Sequence, residues 1–327
     1  MVSQTKERSG WPAKQTLLAL GIRRSSYYRW LKQEKWAREL PPEPVKPVQA
    51  YEATDEEKRA VRAYALKHAG IRHRELAWRM IDEDVAYLSP STVYRILKEE
   101  NLVKPWRRRQ KRDREEEEKA SRPDERWATD LMYVQVGSRM YFLVNFIDEY
   151  SRLIVHHELL ASMDGETVST EAQVAIEGLL KEKGGELPAT GMPEVRSDNG
   201  SCYISREFRG VLGEHGLSHQ KIKPHCPEEN GIMERANRTI REALEGEELT
   251  SLYQACDVLA RIIRWYNEER LHRALGYLRP IDYYRGDPAQ LHEARRKKLR
   301  QARHRRRETN LNLRQPTLPL EAGETVT

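Results

Sequence analysis

The pattern of apolar residues changes at Trp127, and that change constrains the fold more than any other feature of the chain. From there on, short runs rich in β-branched and aromatic residues replace helical spacing. Leu131 to Val136 reads as a first strand, Gly137-Ser138 as a tight turn, Met140 to Asp148 as the returning strand and Leu153 to Leu160 as a third. Gly165 to Lys183 places Val168, Ala172, Ala175, Ile176 and Leu179 on one side of a helix, with Asp164 near its start. Glu194 to Ser197 is a short strand, Ile204 to His215 a helix and Ser218 to Ile222 a last strand. A proline-containing loop, 224–230, leads into a helix from Gly231 to about Glu245, and a longer helix runs from Leu249 to Asn267. The expected fold is α/β, a mixed five-stranded sheet with flanking helices.

Residues before Trp127 read as all-α. Lys14 to Leu20 and Ser25 to Lys32 form two short helices broken at Gly21, a helix-turn-helix spacing with Arg24, Tyr28 and Arg29 among its outward candidates. Four prolines between 41 and 47 mark a stiff linker. Asp55 to His68 and Arg74 to Ile81 follow as helices. Ser89-Pro90 then starts another, with a capping serine and proline at the first helical position. Val93, Ile96 and Leu97 form its inner face; Ser91, Thr92, Tyr94, Arg95 and Lys98 stay outside. Short polar and cationic groups at a helix N-terminus suit reading of a DNA major groove, although an ordinary three-helix bundle has the same core spacing. The expected organisation is a helix-turn-helix (1–40), a linker (41–54), a second helical DNA-binding unit (55–103), a charged linker (104–122), the α/β domain with a helical extension (123–285) and a basic region with a disordered tail (286–327). The order of elements after Trp127 is that of an RNase H-like domain.

Charge points to a polyanion. The net charge of +6 conceals two blocks: Lys104 to Arg114 has seven basic residues and one acid, and Arg295 to Arg307 has nine and none. Together they carry +15, leaving −9 for the rest. Concentrated cations favour a phosphate backbone because neutralising it releases counterions; the alternative is a pair of solvated linkers. No apolar stretch approaches a membrane span, and three cysteines without a CxxC pair give no disulfide framework, which fits a reducing, cytosolic compartment.

With 51 acidic residues, carboxylates matter only in context. Asp130 follows Trp127-Ala128-Thr129 at the start of the first strand. Asp198 ends a strand before the turn Asn199-Gly200. Glu234 lies one turn inside a helix, with 35 residues between it and Asp198. These runs, W-A-T-D, R-S-D-N-G and E-N-G-I-M-E-R-A-N-R-T-I, resemble the DDE integrase core of IS-three-family insertion-sequence transposases, themselves similar to retroviral integrases. Tyr266-Asn267-Glu268-Glu269-Arg270-Leu271-His272 and Leu275-Gly276-Tyr277 before Pro280 resemble the same family. The resemblance covers roughly residues 120 to 285.

The resemblance implies a transposase that cuts element ends and joins them to target DNA at two Mg2+ ions, with Mn2+ able to substitute. Asp130 would bridge both ions; Asp198 and Glu234 would hold one each. Hard carboxylate oxygens suit Mg2+. Asn199, Lys221, Lys223, Arg235 and Arg238, flanking the carboxylates, become candidate DNA contacts. The implied partners are terminal inverted repeats, target DNA, further copies of the chain and an upstream helix-turn-helix protein of the same element; no membrane is implied. A nuclease that cuts without joining and a non-catalytic DNA-binding regulator are the alternatives. Asp148 reads as a structural strand-end residue, and Glu228 and Glu229 as decoys that complement the dipole of the Glu234 helix. His215, His219, His225 and Cys226 match no zinc-ligand spacing, and the N-terminal region has no cysteine for a His-His-Cys-Cys site.

Overall fold

The computed structural model describes residues 2–39, 48–103, 119–185, 191–222 and 230–314. The chain divides into two compact units, one of residues 1–52 with 306–327 and one of residues 53–305. None of the described helices is long and apolar enough to cross a membrane.

In the first unit, α1 (Val2–Ser9), α2 (Ala13–Ala19) and α3 (Arg24–Glu39) replace the two helices expected. Gly21 takes φ +66°, and Ile22 N–H reaches back to the Leu17 carbonyl at 2.9 Å, which closes α2 as anticipated. α1 is an addition: its sequence, with no apolar stripe, gave no signal. The last helix of the chain, α12 (Pro288–Asn312), ends in this unit. There the buried Asn310 donates its amide to the carbonyls of Gln49, Ala50 and Glu52. The disorder expected of the tail is thereby corrected for residues 309–312, because a contact some 260 residues distant anchors them; residues 315–327 lie outside the described residues.

The second unit begins with a three-helix arrangement. α4 (Asp55–Lys67) carries a capping box between Thr54 and Glu57, α5 (His73–Asp82) follows, and α6 (Pro90–Glu99) starts from Ser89, whose side chain accepts from Thr92 N–H. Val61, Leu76, Met80, Val93, Ile96 and Leu97 bury one face each to form their common core.

Next comes the sheet. β1 (Arg126–Val136), β2 (Arg139–Asp148) and β3 (Ile154–Leu160) form an antiparallel meander; β4 (Glu194–Ser197) and β5 (His219–Lys221) add parallel to β1, giving the order β3-β2-β1-β4-β5. This is the mixed five-stranded, RNase H-like sheet that the sequence implies. Helices cover both faces: α7 (Gly165–Glu182, capped by Asp164) and α8 (Arg206–Glu214) on one, α9 (Gly231–Leu244) and α10 (Leu252–Glu268) on the other. The period of two sorts the side chains. Ala128, Met132, Val134 and Val136 face α9 and α10, as do Leu143 and Ile147; Trp127, Val144 and Phe146 face α7 and α8. One boundary differs from expectation: β1 starts at Arg126, so Asp130 is mid-strand, not at its start. Trp127, Ala128 and Thr129 are buried on both faces of a central strand and so show no polar alternation.

After α10, a 3-10 turn (Arg273–Leu275) and α11 (Pro280–Tyr284) lead to α12. Tyr284 and Trp127 both donate to the buried Asp124, which also pairs with Lys183. Part of the basic block of α12 is used within the chain, while Arg296, Lys297, Arg300, Arg303 and Arg307 stay exposed. Arg295 is buried, donates to both carboxylate oxygens of Asp82 and to the Gly276 and Tyr277 carbonyls, and lies 5.1 Å over the Trp78 ring. Lys298 binds Asp84 and the Ile81 carbonyl, and Arg305 stacks over Tyr87. These cations satisfy the chain's own acids, carbonyls and rings.

Candidate active site

Asp130 occupies an otherwise apolar row. Its neighbours on that face of β1, Ala128 and Met132, are core residues, and directly opposite on β2 stands Asn145 between Leu143 and Ile147. A carboxylate and an amide in such rows need partners, since an unpaired buried polar group costs about 1–3 kcal/mol. α9 supplies one. Asn237 donates to Asp130 Oδ2 at 3.0 Å and accepts from Asn145 Nδ2 at 3.1 Å, so the three form a relay from the sheet to the helix. Burial, and then the negative charge of Asp198, push the Asp130 carboxyl up to about 6; hydrogen bonds from Leu131 N–H and Asn237 oppose this, and Glu234 adds to it.

Asp198 sits just beyond β4. Gly200 donates its backbone N–H to Asp198 Oδ1 at 2.8 Å, and a Cβ at this position would crowd that same oxygen at 2.9 Å, so any larger residue would push the carboxylate aside. Asn199 spans the turn by donating to the Ile222 carbonyl at 3.0 Å, which ties the ends of β4 and β5 together. Glu234 is exposed in the first turn of α9, where its charge complements the helix dipole. It lies one turn before Asn237 on the same side of the helix, so the relay that fixes Asn237 also brings Glu234 toward Asp130.

The three carboxylates therefore come from one strand, one turn and one helix and interact electrostatically, but they do not form a closed ligand set. Among the described residues no three His, Cys, Asp or Glu side chains are gathered closely enough to hold a metal ion. Lys223, His225, Cys226, Glu228 and Glu229 lie outside the described residues.

The other candidates separate into groups. Lys221, Arg235 and Arg238 are exposed beside the carboxylates, and Arg238 approaches Glu242 at 3.8 Å. Ser91, Arg95 and Lys98 are exposed on α6, whereas Thr92 is half-buried and engaged by Ser89 and Arg95. Arg24, Tyr28 and Arg29 are exposed on α3 in the other unit. Asp148 is fully buried and accepts from Asp124 N–H, Ser151 N–H and Ser151 Oγ, holding the turn between β2 and β3 as a structural residue. His215 binds Gln173, and His219 binds Ser197. Sequence reasoning missed Asn145 and Asn237. Each sits at a core position of an amphipathic pattern, and that mismatch was the available signal.

Two integrase core domain families match the chain, one over residues 120–227 and the other over residues 215–280. An uncharacterized 39.2 kDa protein of insertion element IS476 from Xanthomonas euvesicatoria is 29% identical over 64% of this chain and 61% of its own length. The transposase of insertion sequence element IS904 from Lactococcus lactis is 27% identical over 50% of this chain and 63% of its own. These matches span less than two thirds of the relatives' length. Among solved structures, the HTLV-2 integrase catalytic core domain in complex with magnesium superposes with a TM-score of 0.38 at 16% identity, covering 50% of this chain and 98% of that one.

Proposed function

We propose, for a chain whose centre is an integrase core domain akin to those of insertion-sequence transposases, that it is itself a DNA transposase acting in the bacterial cytoplasm on the nucleoid. Its reaction would be cleavage of phosphodiester bonds at the element's terminal inverted repeats and joining of the freed ends to target DNA. The observation that carries this reading is the state of Asp130. A carboxylate held rigidly in an apolar row, with its pKa raised by burial and by Asp198, is a negative site prepared for a cation.

Asp130, Asp198 and Glu234 offer only hard oxygen donors, which fit Mg2+ or Mn2+ and not a thiolate-seeking metal. Bound there, two such ions would activate the attacking oxygen and stabilise the leaving one. The chain's own contribution is placement. Asn237, backed by Asn145, fixes the orientation of the Asp130 carboxylate, Gly200 N–H fixes that of Asp198, and the first turn of α9 carries Glu234. The exposed outer face of α6, with Ser91, Arg95 and Lys98, is the proposed reader of the element end. Two ends must be held at once, so the active form is a multimer, with or without an upstream helix-turn-helix protein of the same element.

The test is strand transfer of a labelled end by purified variants, with binding measured alongside. Asp198→Asn and Glu234→Gln should each lose at least ~10²-fold in both steps and keep DNA binding. Cutting without joining by the wild type would identify a nuclease. Binding without cutting would identify a regulator. Loss of activity in Glu229→Gln but not in Glu234→Gln would reassign the glutamate.

A further inference from the structure

His219, on β5, belongs to no zinc site, yet its ring is held from two sides. It lies edge to face against the buried Phe208 of α8, with ring centres 5.5 Å apart, and its Nε2 is 2.8 Å from Ser197 Oγ. Ser197, fully buried at the end of β4, donates its hydroxyl to the Asp198 carbonyl at 2.9 Å. A hydroxyl carries one hydrogen, and a carbonyl oxygen can only accept. With that hydrogen committed to Asp198, Ser197 Oγ must accept from His219, which places a proton on Nε2 of the imidazole. Donation therefore runs one way, from His219 through Ser197 to the main chain of Asp198. The same direction excludes a serine nucleophile with a histidine base, since this histidine donates and the serine is shut away from solvent.

These bonds converge on the turn that carries Asp198. Beside them, Ile222 N–H donates to the Ser197 carbonyl and Asn199 Nδ2 to the Ile222 carbonyl, both at 3.0 Å. β5 is three residues long and stands at the edge of the sheet, so its backbone ladder alone grips β4 over a short span. The turn needs a firmer hold. Asp198 and Asp130 carry like charges that act on each other, and repulsion drives two such carboxylates apart when no cation lies between them. A pair that is to share cations must be held by its supporting hydrogen bonds before any cation arrives.

We propose that His219 and Ser197 are positioning residues, whose relay holds the Asp198 turn in place against repulsion from Asp130 and so keeps that carboxylate ready for a divalent cation. The cation part rests on the reading of Asp130, Asp198 and Glu234 as a metal site. Both residues act through the main chain of Asp198, from the side of the sheet that packs on α8.

The experiment uses the full chain. His219→Phe fills the place of the ring against Phe208 but cannot donate, whereas His219→Gln puts an amide N–H where Nε2 stands. His215→Phe is the matched control, since His215 is also half-buried and pairs with Gln173 at 2.8 Å. Two quantities are measured: Mn2+ affinity by electron paramagnetic resonance, counting only the binding that Asp198→Asn abolishes, and hydrogen exchange of the Gly200 amide without metal. His219→Phe should weaken Mn2+ binding by ~10-fold or more and speed Gly200 exchange by roughly five-fold. His219→Gln should recover most of both, and His215→Phe should change neither. Unchanged Mn2+ affinity or unchanged Gly200 exchange in His219→Phe overturns the proposal, as does a failure of His219→Gln to recover either. If the wild type binds no Mn2+ through Asp198 but Gly200 exchange follows the stated pattern, the relay stands and the reading of a metal site falls. Should His219→Phe unfold, Ser197→Ala must speed Gly200 exchange and weaken Mn2+ binding alike, or the proposal fails.

Discussion

Asp130→Asn should make the metal-free protein more stable at neutral pH, even though it removes the carboxylate central to the proposed chemistry. The carboxyl is pushed from its ordinary 3.8 up to about 6 in the folded chain. For a group with a raised folded pKa, the stabilising contribution is complete below the unfolded value and is lost as pH rises through the folded one. At pH 7.5 the charged form therefore weighs against the fold. Two pKa units at 1.36 kcal/mol each give an upper bound of about 3 kcal/mol. Asparagine keeps an oxygen that can accept from Asn237, so the relay survives the substitution. Allowing for relaxation and water reaching a half-buried group, a gain of ~1–3 kcal/mol is expected, or roughly 2–10 °C in Tm for a unit of this size. The assay is thermal or denaturant unfolding of both proteins with EDTA, from pH 4 to pH 8. The advantage of Asp130→Asn should be full above pH 7 and should shrink as pH falls through 6 toward 4. An advantage independent of pH, or none at pH 7.5, would refute the electrostatic account of this site.

Two further outcomes follow from the helical portion. Arg295→Met removes a buried cation bound to Asp82 and to two carbonyls, and should lower stability by ~1–3 kcal/mol in denaturant titrations, more than the loss from Arg300→Met at an exposed position of the same helix; equal losses would mean that the Asp82 pair contributes nothing. Arg95→Ala, on the exposed face of α6, should weaken binding to the element end by roughly 1–3 kcal/mol and leave random DNA nearly unaffected in a shift assay; parallel losses on both would assign Arg95 to phosphate and not to a base.

What could be read from sequence was what local pattern encodes. The meander, the covering helices and the caps at Ser89 and Asp164 depend on alternation, on the 3.6-residue period and on short-range hydrogen bonds, and all are in place. Asp130 and Asp198 stood out because each breaks or ends a strand pattern. The start of β1 was hidden because residues buried on both faces have no polar alternation to mark them. Asn145 and Asn237 each break an apolar row, but that they form one relay was not legible, because its hydrogen bonds link residues 92 and 107 apart and no local rule joins them. Charge density in a sequence does not reveal that Asp82 and Asp84, more than 210 residues upstream, take up Arg295 and Lys298.

That pairing also sets a timetable. Asp82, Asp84 and Trp78 leave the ribosome long before Arg295 and Lys298 exist. During that interval the helices around α5 can fold on their own core, yet nothing from α12 can fasten them. With synthesis at about 5–20 residues per second, the gap of 213 residues lasts roughly 10–40 seconds. A growing chain thus carries α4, α5 and α6 unfastened, and fastens them only when α12 emerges.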